Sequence, residues 1–256
     1  MTTQEFSNEF DVLYNNIMSN QAPGLDEYEK SVFLTKAQDE IVKNYFNPKG
    51  NKYQEGFDGN EKRQIDFSMI MRSNKVSSGF TDGVFDSRGK VVTIDPDVMM
   101  ILNEYATVTR AKSVGDTNST SETVRLTIVP ISYTEYSRLL SKPYKRPLKW
   151  QAWRLLTNDG TTKKAEIIVG PNDTLTAYHI RYIKRPQAII LSDLEGVTLD
   201  NKTTAQECEL DPILHQEILQ RAVELAKSAY MGDLNSTLTL GQMSETNMGM
   251  ISTGGK

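Results

Sequence analysis

Few residues in this chain have the types and spacing that enzymes and metal sites require. The 256 residues include only two histidines, His179 and His215, and one cysteine, Cys208. A metal site needs several such ligands to converge, and neither a His-x-x-x-His nor a Cys-x-x-Cys spacing occurs. A cysteine nucleophile also needs a partner base, and the sequence identifies none for Cys208. We therefore predict structural roles for all three residues and expect neither a metal ion nor a cofactor.

The segment most similar to a phosphate-binding loop runs from Gly83 to Val91. It departs from that motif twice, because five residues rather than four separate its glycines and Val91 stands where Ser or Thr would hold magnesium. We interpret it as a turn between two strands. No Gly-x-Ser-x-Gly turn occurs, and paired carboxylates such as Glu207 and Glu209 lack an accompanying motif. The chain is therefore predicted not to be an enzyme.

One segment has distinctive chemistry: residues 138–154 combine basic and aromatic side chains and contain no acid. This composition suits single-stranded nucleic acid, because aromatic rings stack on bases while cations follow the phosphates. It suits a protein interface equally, because Arg, Tyr and Trp carry much of the binding energy there. A solvated strand face is the third interpretation. With three later bases added, the candidate interface residues are Arg138, Lys142, Tyr144, Lys145, Arg146, Lys149, Trp150, Arg181, Lys184 and Arg185.

A second segment has the opposite charge. Residues 193–224 hold eight acidic residues and only two basic ones, Lys202 and Arg221. Identical subunits packed head to tail could match the acidic segment of one copy to the basic segment of the next, and such contacts close into rings. Under this hypothesis, changing both Lys145 and Arg146 to Glu abolishes assembly.

Apolar residues at helical spacing predict helices at both ends of the chain. Asp26 and Glu29 form a capping box at the start of one of them. Asp211 is an N-cap, and Pro212 takes the first helical position of the last. The predicted helices are 6–17, 26–46, about 60–72 with Ile65, Met69 and Ile70 inward, and 212–231 with Ile213 among its inward residues.

The middle of the chain is rich in β-branched residues and turn signals. Asn158-Asp159-Gly160 supplies a hairpin turn. Residues 98–110 are ambiguous, because 98–105 fit one helical turn whereas 106–110 alternate like a strand. The segments 113–121 and the Pro-bounded 142–147 are predicted loops. The predicted strands are 91–94, 123–131, 148–156, 164–169 and 176–184, with a short helix at 134–140.

This order of elements predicts an α+β fold. The simplest packing forms a helical bundle from the N-terminal and C-terminal helices, with an inserted antiparallel β-rich lobe. The predicted parts are 1–76 for the N-terminal helices, 77–192 for the β-rich lobe, 193–232 for the C-terminal helix and 233–256 for an extended or disordered tail.

The composition is that of an ordinary soluble protein. The formal net charge of −4 argues against wholesale nucleic-acid binding. A single cysteine fits synthesis in a reducing cytoplasm. No apolar run approaches the roughly 18 residues that a membrane span needs, and the first residues do not resemble a signal peptide. We expect no membrane partner.

Several short sequence motifs occur in the same order as in a known family, which the chain therefore resembles. They are Leu25-Asp26-Glu27-Tyr28-Glu29-Lys30-Ser31, Phe57-Asp58-Gly59, Ile131-Ser132-Tyr133-Thr134-Glu135-Tyr136, Tyr182-Ile183-Lys184-Arg185-Pro186, Ile189-Ile190-Leu191 and Cys208-Glu209-Leu210. Over residues 5–232 the chain resembles the virion ring proteins of crAss-like phages, which are counterparts of the head-to-tail adaptors of short-tailed phages. No part of the resemblance is catalytic.

The resemblance implies a ring of about twelve subunits at the head–tail junction of the virion, made in the host cytoplasm. The implied partners are other copies of the chain, the portal protein, the next ring or tail protein, and genomic DNA that passes through the lumen without sequence-specific binding. Termini of such adaptors dock onto neighbours, which makes Met243, Met248 and Met250 candidate anchors. The alternatives are a tail without a partner, a different virion role, and a nucleic-acid-binding or regulatory phage protein that uses 138–154.

Overall fold

The structure, a computed structural model, describes residues 1–17, 24–46, 61–111, 121–140, 147–158, 160 and 162–231. Contacts divide the chain into two units. We call Met1–Ile70 with Pro186–Lys256 the helical unit, and Met71–Arg185 the sheet unit. The α+β class expected from the sequence is confirmed.

Helices α1 (Thr3–Ile17) and α2 (Glu27–Phe46) lie where the apolar periodicity predicts them. The predicted capping box forms at α2. The Glu29 amide donates to Asp26 Oδ1 over 2.7 Å, and the Asp26 amide donates to Glu29 Oε2 over 3.1 Å. These bonds satisfy backbone groups that a helix start leaves without intrahelical partners. The stripe predicted for α1 is buried at Phe6, Phe10 and Tyr14.

The predicted third helix is shorter than expected. Helix α3 spans only Glu61–Asp66, and a 3-10 turn follows at Ser68–Ile70. Ile65 and Met69, predicted to face inward, are 56% and 55% exposed, whereas Phe67 is buried against aromatic rings of α2. Ile70 is buried as predicted, but the prediction of one continuous inward-facing helix was wrong, because α3 ends at Asp66 and a tighter turn follows it.

Helix α5 (Pro212–Met231) begins as the sequence predicts, with the Ile213 amide donating to Asp211 Oδ1 over 3.0 Å. Ile213 itself is 64% exposed, so its predicted inward position was wrong. Helix α5 packs along α2, and α1 contacts both. Arg221 Nε of α5 donates to Glu40 Oε2 of α2 over 2.8 Å. The buried face of α5 consists of Leu214, His215, Ile218, Leu219, Ala222, Val223 and Ala226.

An extended segment, 187–191, lies along a polar stripe of α2. Ser31 Oγ accepts from the Leu191 amide over 3.1 Å, and Thr35 Oγ1 accepts from the Ile189 amide over the same distance. Gln38 Nε2 donates to the Gln187 carbonyl over 2.7 Å. Three helix side chains thus satisfy backbone groups of a segment whose own apolar side chains are buried.

In its described residues, the sheet unit contains one sheet and one helix. Its strands are β1 (Met71–Val76), β2 (Thr81–Asp82), β3 (Gly89–Thr93), β4 (Val98–Arg110), β5 (Glu122–Pro130), β6 (Gln151–Asn158), β7 (Lys163–Ile168) and β8 (Asp173–Lys184), and α4 is Tyr133–Leu140. The order across the sheet is β1-β8-β4-β5-β6-β7-β3-β2. The ambiguous residues 98–110 form one long strand, and 71–76, assigned to the helical part by the sequence analysis, form another.

The sheet is mixed rather than purely antiparallel. Strands β5 and β6 are parallel, because α4 carries the chain back across the sheet between them. The predicted β6–β7 hairpin forms, and β8 belongs to the same sheet. Strand β8 pairs with β1 and β4 instead of extending the hairpin. Strand partners depend on contacts distant in sequence, which alternation along one strand does not encode.

The two faces of the sheet differ in what covers them. The inner face holds the main core, which includes Val92, Ala106, Val108, Leu126, Ile167 and Tyr178. On the outer face, Tyr136 of α4 packs with Leu155 and Ile168. Outward-facing positions of β1, β8, β4 and β5 remain accessible at Lys75, Arg181, Asn103 and Arg125.

Candidate assembly surfaces

The structure divides the predicted interface residues into three groups. Lys149 and Trp150 precede β6, Arg181, Lys184 and Arg185 lie at or just after the end of β8, and Arg138 is on α4. Strands β4 and β5 separate β6 from β8, so the predicted bases do not form one continuous strand surface. Seven predicted residues lie outside the described residues: Lys142, Tyr144, Lys145, Arg146, Met243, Met248 and Met250.

Two residues of the basic segment 138–154 pack within the sheet unit, on opposite faces of β6. Arg154 Nη1 donates to Glu104 Oε1, which also accepts from the Tyr178 hydroxyl. All three side chains are buried. Burial raises the pKa of Tyr178, and the nearby Glu104 carboxylate raises it further. Trp153 is half-buried beside the cluster under α4. Arg154 is therefore not available to a partner surface, and Trp153 is only partly exposed.

Trp150 lies at an exposed end of the sheet unit. Arg110 Nε donates to Asp173 Oδ1 over 2.6 Å, and Arg110 Nη2 donates to the Lys149 carbonyl over 2.7 Å. The Arg110 guanidinium carbon is 5.8 Å from the centroid of the Trp150 ring. Arg110, Lys149 and Asp173 line a cleft of about 440 Å³. The walls of this cleft also include Pro147, Leu148 and Pro171. The anchored arginine lies over one aromatic side chain of the predicted surface.

The outer face of β1, β8, β4 and β5 is a second charged surface, which we call the basic sheet face. Tyr105 stacks on His179 with ring centroids 4.1 Å apart, and the guanidinium carbon of Arg125 lies 4.3 Å from the Tyr105 centroid. Lys75 stands opposite His179 in the register, and Arg181 is two residues further along β8. The sequence pattern alone did not identify Lys75, Tyr105 or Arg125 as members of a surface. Alternation along β4 and β5 offered a signal, but only strand order brings the three together.

The run from Gly83 to Gly89 connects β2 to β3, as the sequence predicts. Its backbone amides point at the carboxylate of Glu166, which is completely buried on β7. The amides of Val84, Phe85 and Asp86 donate to it over 3.0–3.3 Å. A row of amides of this kind is suited to an anion. Here the protein's own carboxylate occupies it, which explains the partial similarity to a phosphate-binding loop.

Further contacts fix the same loop. Asp86 accepts from the Arg88 amide over 2.9 Å and pairs with the Arg88 guanidinium. The Tyr136 hydroxyl lies 3.2 Å from both Asp86 Oδ2 and the Phe85 carbonyl. Burial raises the pKa of Tyr136 to about 12, with Asp86 contributing next, so the hydroxyl stays protonated and can donate. The Arg88 partner lowers the pKa of Asp86. The loop is therefore held from both sides.

Comparison with known proteins identifies the family. Residues 1–238 match the family described as phage tail ring protein 3/4. The chain belongs to this family. It is 52% identical to ring protein 4/5 of Bacteroides phage crAss001, over 96% of this chain and 100% of that protein. It is also 31% identical to ring protein 3 of the same phage, over 88% of this chain and 95% of that protein.

The groups of this ring-family protein that could in principle react lie in surroundings that suit a structural role. Cys208 is half-buried, its Sγ lies 3.3 Å from Gln38 Oε1, and burial raises the pKa of the thiol to about 11. A thiol with that pKa is protonated at neutral pH and is a poor nucleophile. Among the residues that the structure describes, no group of three or more His, Cys, Asp or Glu side chains could hold a metal ion. No helix in the described part of the ring protein is long and apolar enough to cross a membrane.

Both histidines of the ring protein have a pKa below the ordinary histidine value. For His179 burial is the main cause, followed by the nearby cations Lys75 and Arg125. For His215 burial is again the main cause, although a backbone contact with Leu210 acts in the opposite direction. At neutral pH both rings are therefore uncharged, and the charge of the basic sheet face comes from its lysine and arginines.

Mild acid should destabilise the protein through these two rings. Because the folded pKa values lie below the unfolded value of about 6.5, the unfolded chain binds more protons as the pH falls through that value. We expect the free energy of unfolding, measured by urea denaturation, to decrease between about pH 7 and pH 5.5. The combined His179→Gln and His215→Gln variant should show a flatter dependence, and an unchanged slope would contradict the assignment.

Proposed function

We propose that this protein forms a ring between the portal and the tail of the virion and extends the channel for genomic DNA. The observation that carries the proposal is the 52% identity to a phage ring protein across its entire length. The partners are other copies in a ring of about twelve, the portal, the next ring or tail protein, and the DNA in the lumen. Its mechanism is binding, and no catalytic step is involved.

Two relatives from one phage support the stacking of similar rings. Ring protein 3 and ring protein 4/5 of that phage each match most of this chain. In the proposed assembly, the sheet unit supplies rigid contact surfaces and the charged segments set the lateral register. The Pro-bounded loop 142–147 and the tail from 233, with Met243, Met248 and Met250, contact the portal or the next tail component.

Quantitative mass spectrometry of purified particles tests this function. We expect about a dozen copies of the chain per particle, matching the number of portal subunits. Electron microscopy of the same particles should place the density between portal and tail. Detection only in lysates of infected cells, with none in purified particles, would contradict a structural role.

Nucleic-acid binding is the second candidate function, and the basic sheet face is the observation that favours it. Cations beside a stacked aromatic pair suit single-stranded nucleic acid. Under the ring function we expect only weak binding to single-stranded DNA, with Kd no tighter than about 1 μM at physiological salt.

Filter binding at low and at physiological salt distinguishes the two functions. Tight, salt-steep binding that the Arg125→Ala and Arg181→Ala variants remove would favour the nucleic-acid function. Lys36→Ala, which removes an exposed cation from α2, is the matched control for loss of charge.

A further inference from the structure

Three apolar side chains are exposed together beside the loop that Glu166 holds. Val84, Phe85 and Tyr133 are 78%, 48% and 41% exposed, and the rings of Phe85 and Tyr133 meet edge to face with centroids 5.0 Å apart. We call these residues the Phe85 patch. The Tyr133 hydroxyl donates to the Leu156 carbonyl over 2.7 Å, which places the patch at the level of the last residues of β6.

The Phe85 patch has a fixed backbone. The backbone amides of two of its residues, Val84 and Phe85, donate to the buried Glu166 carboxylate. Ordering a loop opposes binding, so a loop that is ordered beforehand contributes more of its contact energy to affinity. Exposed apolar side chains on a backbone fixed by buried polar groups favour a protein–protein contact.

A second apolar patch lies at the opposite end of β6. Leu148 and Trp150 are 67% and 58% exposed, and we call them the Trp150 patch. Its backbone is also fixed, because the Gln151 amide donates to the Leu148 carbonyl over 2.9 Å and the Thr127 amide donates to the Trp150 carbonyl over 3.0 Å. Arg110, paired with Asp173, lies beside the indole ring.

The separation of the patches has a consequence for assembly. From Trp150 to Leu156 the extended chain advances by six residue steps, which correspond to roughly 20 Å. A two-fold contact pairs one surface with itself, whereas a ring requires two different surfaces on each subunit. The sheet unit carries two such surfaces, and both have the residue types that dominate interface energy.

We propose that the Phe85 patch of one copy packs against the Trp150 patch of the next copy, as the lateral contact of the ring. This inference rests on the proposed ring function. The flanking charges are complementary, since exposed Glu135 follows Tyr133 by two residues and exposed Lys149 precedes Trp150. The occupant of each patch is therefore a second copy of this chain.

A mixing experiment with the full-length chain tests the contact. Phe85→Ser and Trp150→Ser should each raise the self-association Kd at least about tenfold. The Phe85→Ser variant keeps the Trp150 patch, and the Trp150→Ser variant keeps the Phe85 patch. An equimolar mixture of the two should therefore form one-to-one dimers that do not grow into larger oligomers, which sedimentation velocity measures. Val12→Ser, which removes an equally exposed apolar side chain from α1, should assemble like the unaltered chain.

Photo-cross-linking supplies a second measurement. A benzophenone side chain at position 85, in a mixture of isotopically heavy and light copies, should form heavy–light cross-links that map to 147–151. Cross-links that map elsewhere, a variant mixture that stays monomeric or assembles fully, or an unaltered chain that is monomeric at about 1 mM would overturn the contact. Absence from purified particles would instead end the proposed function, whatever the cross-links show.

Discussion

Replacing Glu166 by leucine is expected to lower the free energy of unfolding by about 2–4 kcal/mol. The carboxylate is completely buried and accepts from the amides of Val84, Phe85 and Asp86. Leucine fills a similar volume but accepts no hydrogen bond, so the variant leaves those donors without a partner at the surface of β7. Urea denaturation followed by circular dichroism measures the change.

The control for this substitution is Glu207→Leu, which removes an exposed acid from the helical unit and should change stability by less than about 0.5 kcal/mol. Two glycines provide a further check, because a Cβ at Gly83 or Gly89 would collide with the Glu166 carboxylate. Gly89→Ala should therefore destabilise the unaltered chain more than it destabilises a Glu166→Ala background. Equal costs in both backgrounds would show that the carboxylate does not fill the loop.

Replacing Arg154 by methionine should cost about 3–5 kcal/mol of stability. Arg154 is the cationic partner of the buried Glu104 carboxylate, which also accepts from Tyr178. The variant leaves a buried charge without compensation inside the sheet. The measurement is the midpoint and slope of urea denaturation, with Arg181→Met on the exposed part of β8 as the control for loss of a cation.

Removing both charged partners should cost less than removing one. Arg154 Nε is buried without a hydrogen-bond partner, so the pair is incompletely satisfied. The double variant Arg154→Met with Glu104→Met should recover at least about 2 kcal/mol of the loss. A double variant no more stable than Arg154→Met would show that the unpaired carboxylate is not the main source of the cost, since the double variant also leaves the buried Tyr178 hydroxyl without its acceptor.

The parts of the fold that were predictable are those fixed by local physics. The capping box at Asp26 and the N-cap at Asp211 use atoms within three residues of each other, so the sequence shows both partners. Strand β5 was predicted because one face is buried and the other exposed, which requires alternation. The failed prediction at Met69 marks a place where a local period was extended past the end of α3.

The candidate surfaces were only partly predictable. Trp150 and Lys149 were identified by composition, and the structure places them at an exposed end of the sheet unit. Arg154 stands in the same basic segment but faces the core, because alternation along β6 sends neighbouring side chains to opposite faces. The Phe85 patch was missed because an exposed Phe in a loop has no distinguishing sequence pattern.

The sequence by itself determined the existence of helices α1, α2, α4 and α5, the starts of α2 and α5, the α+β class and, through resemblance, the ring family. Each depends on short-range spacing or on the order of short words along the chain. Only the tertiary structure decided the parallel pairing of β5 with β6, the burial of Glu166 beneath the loop, and the two apolar patches at opposite ends of β6. These depend on which strands become neighbours, and that choice is made by packing among residues far apart in the chain.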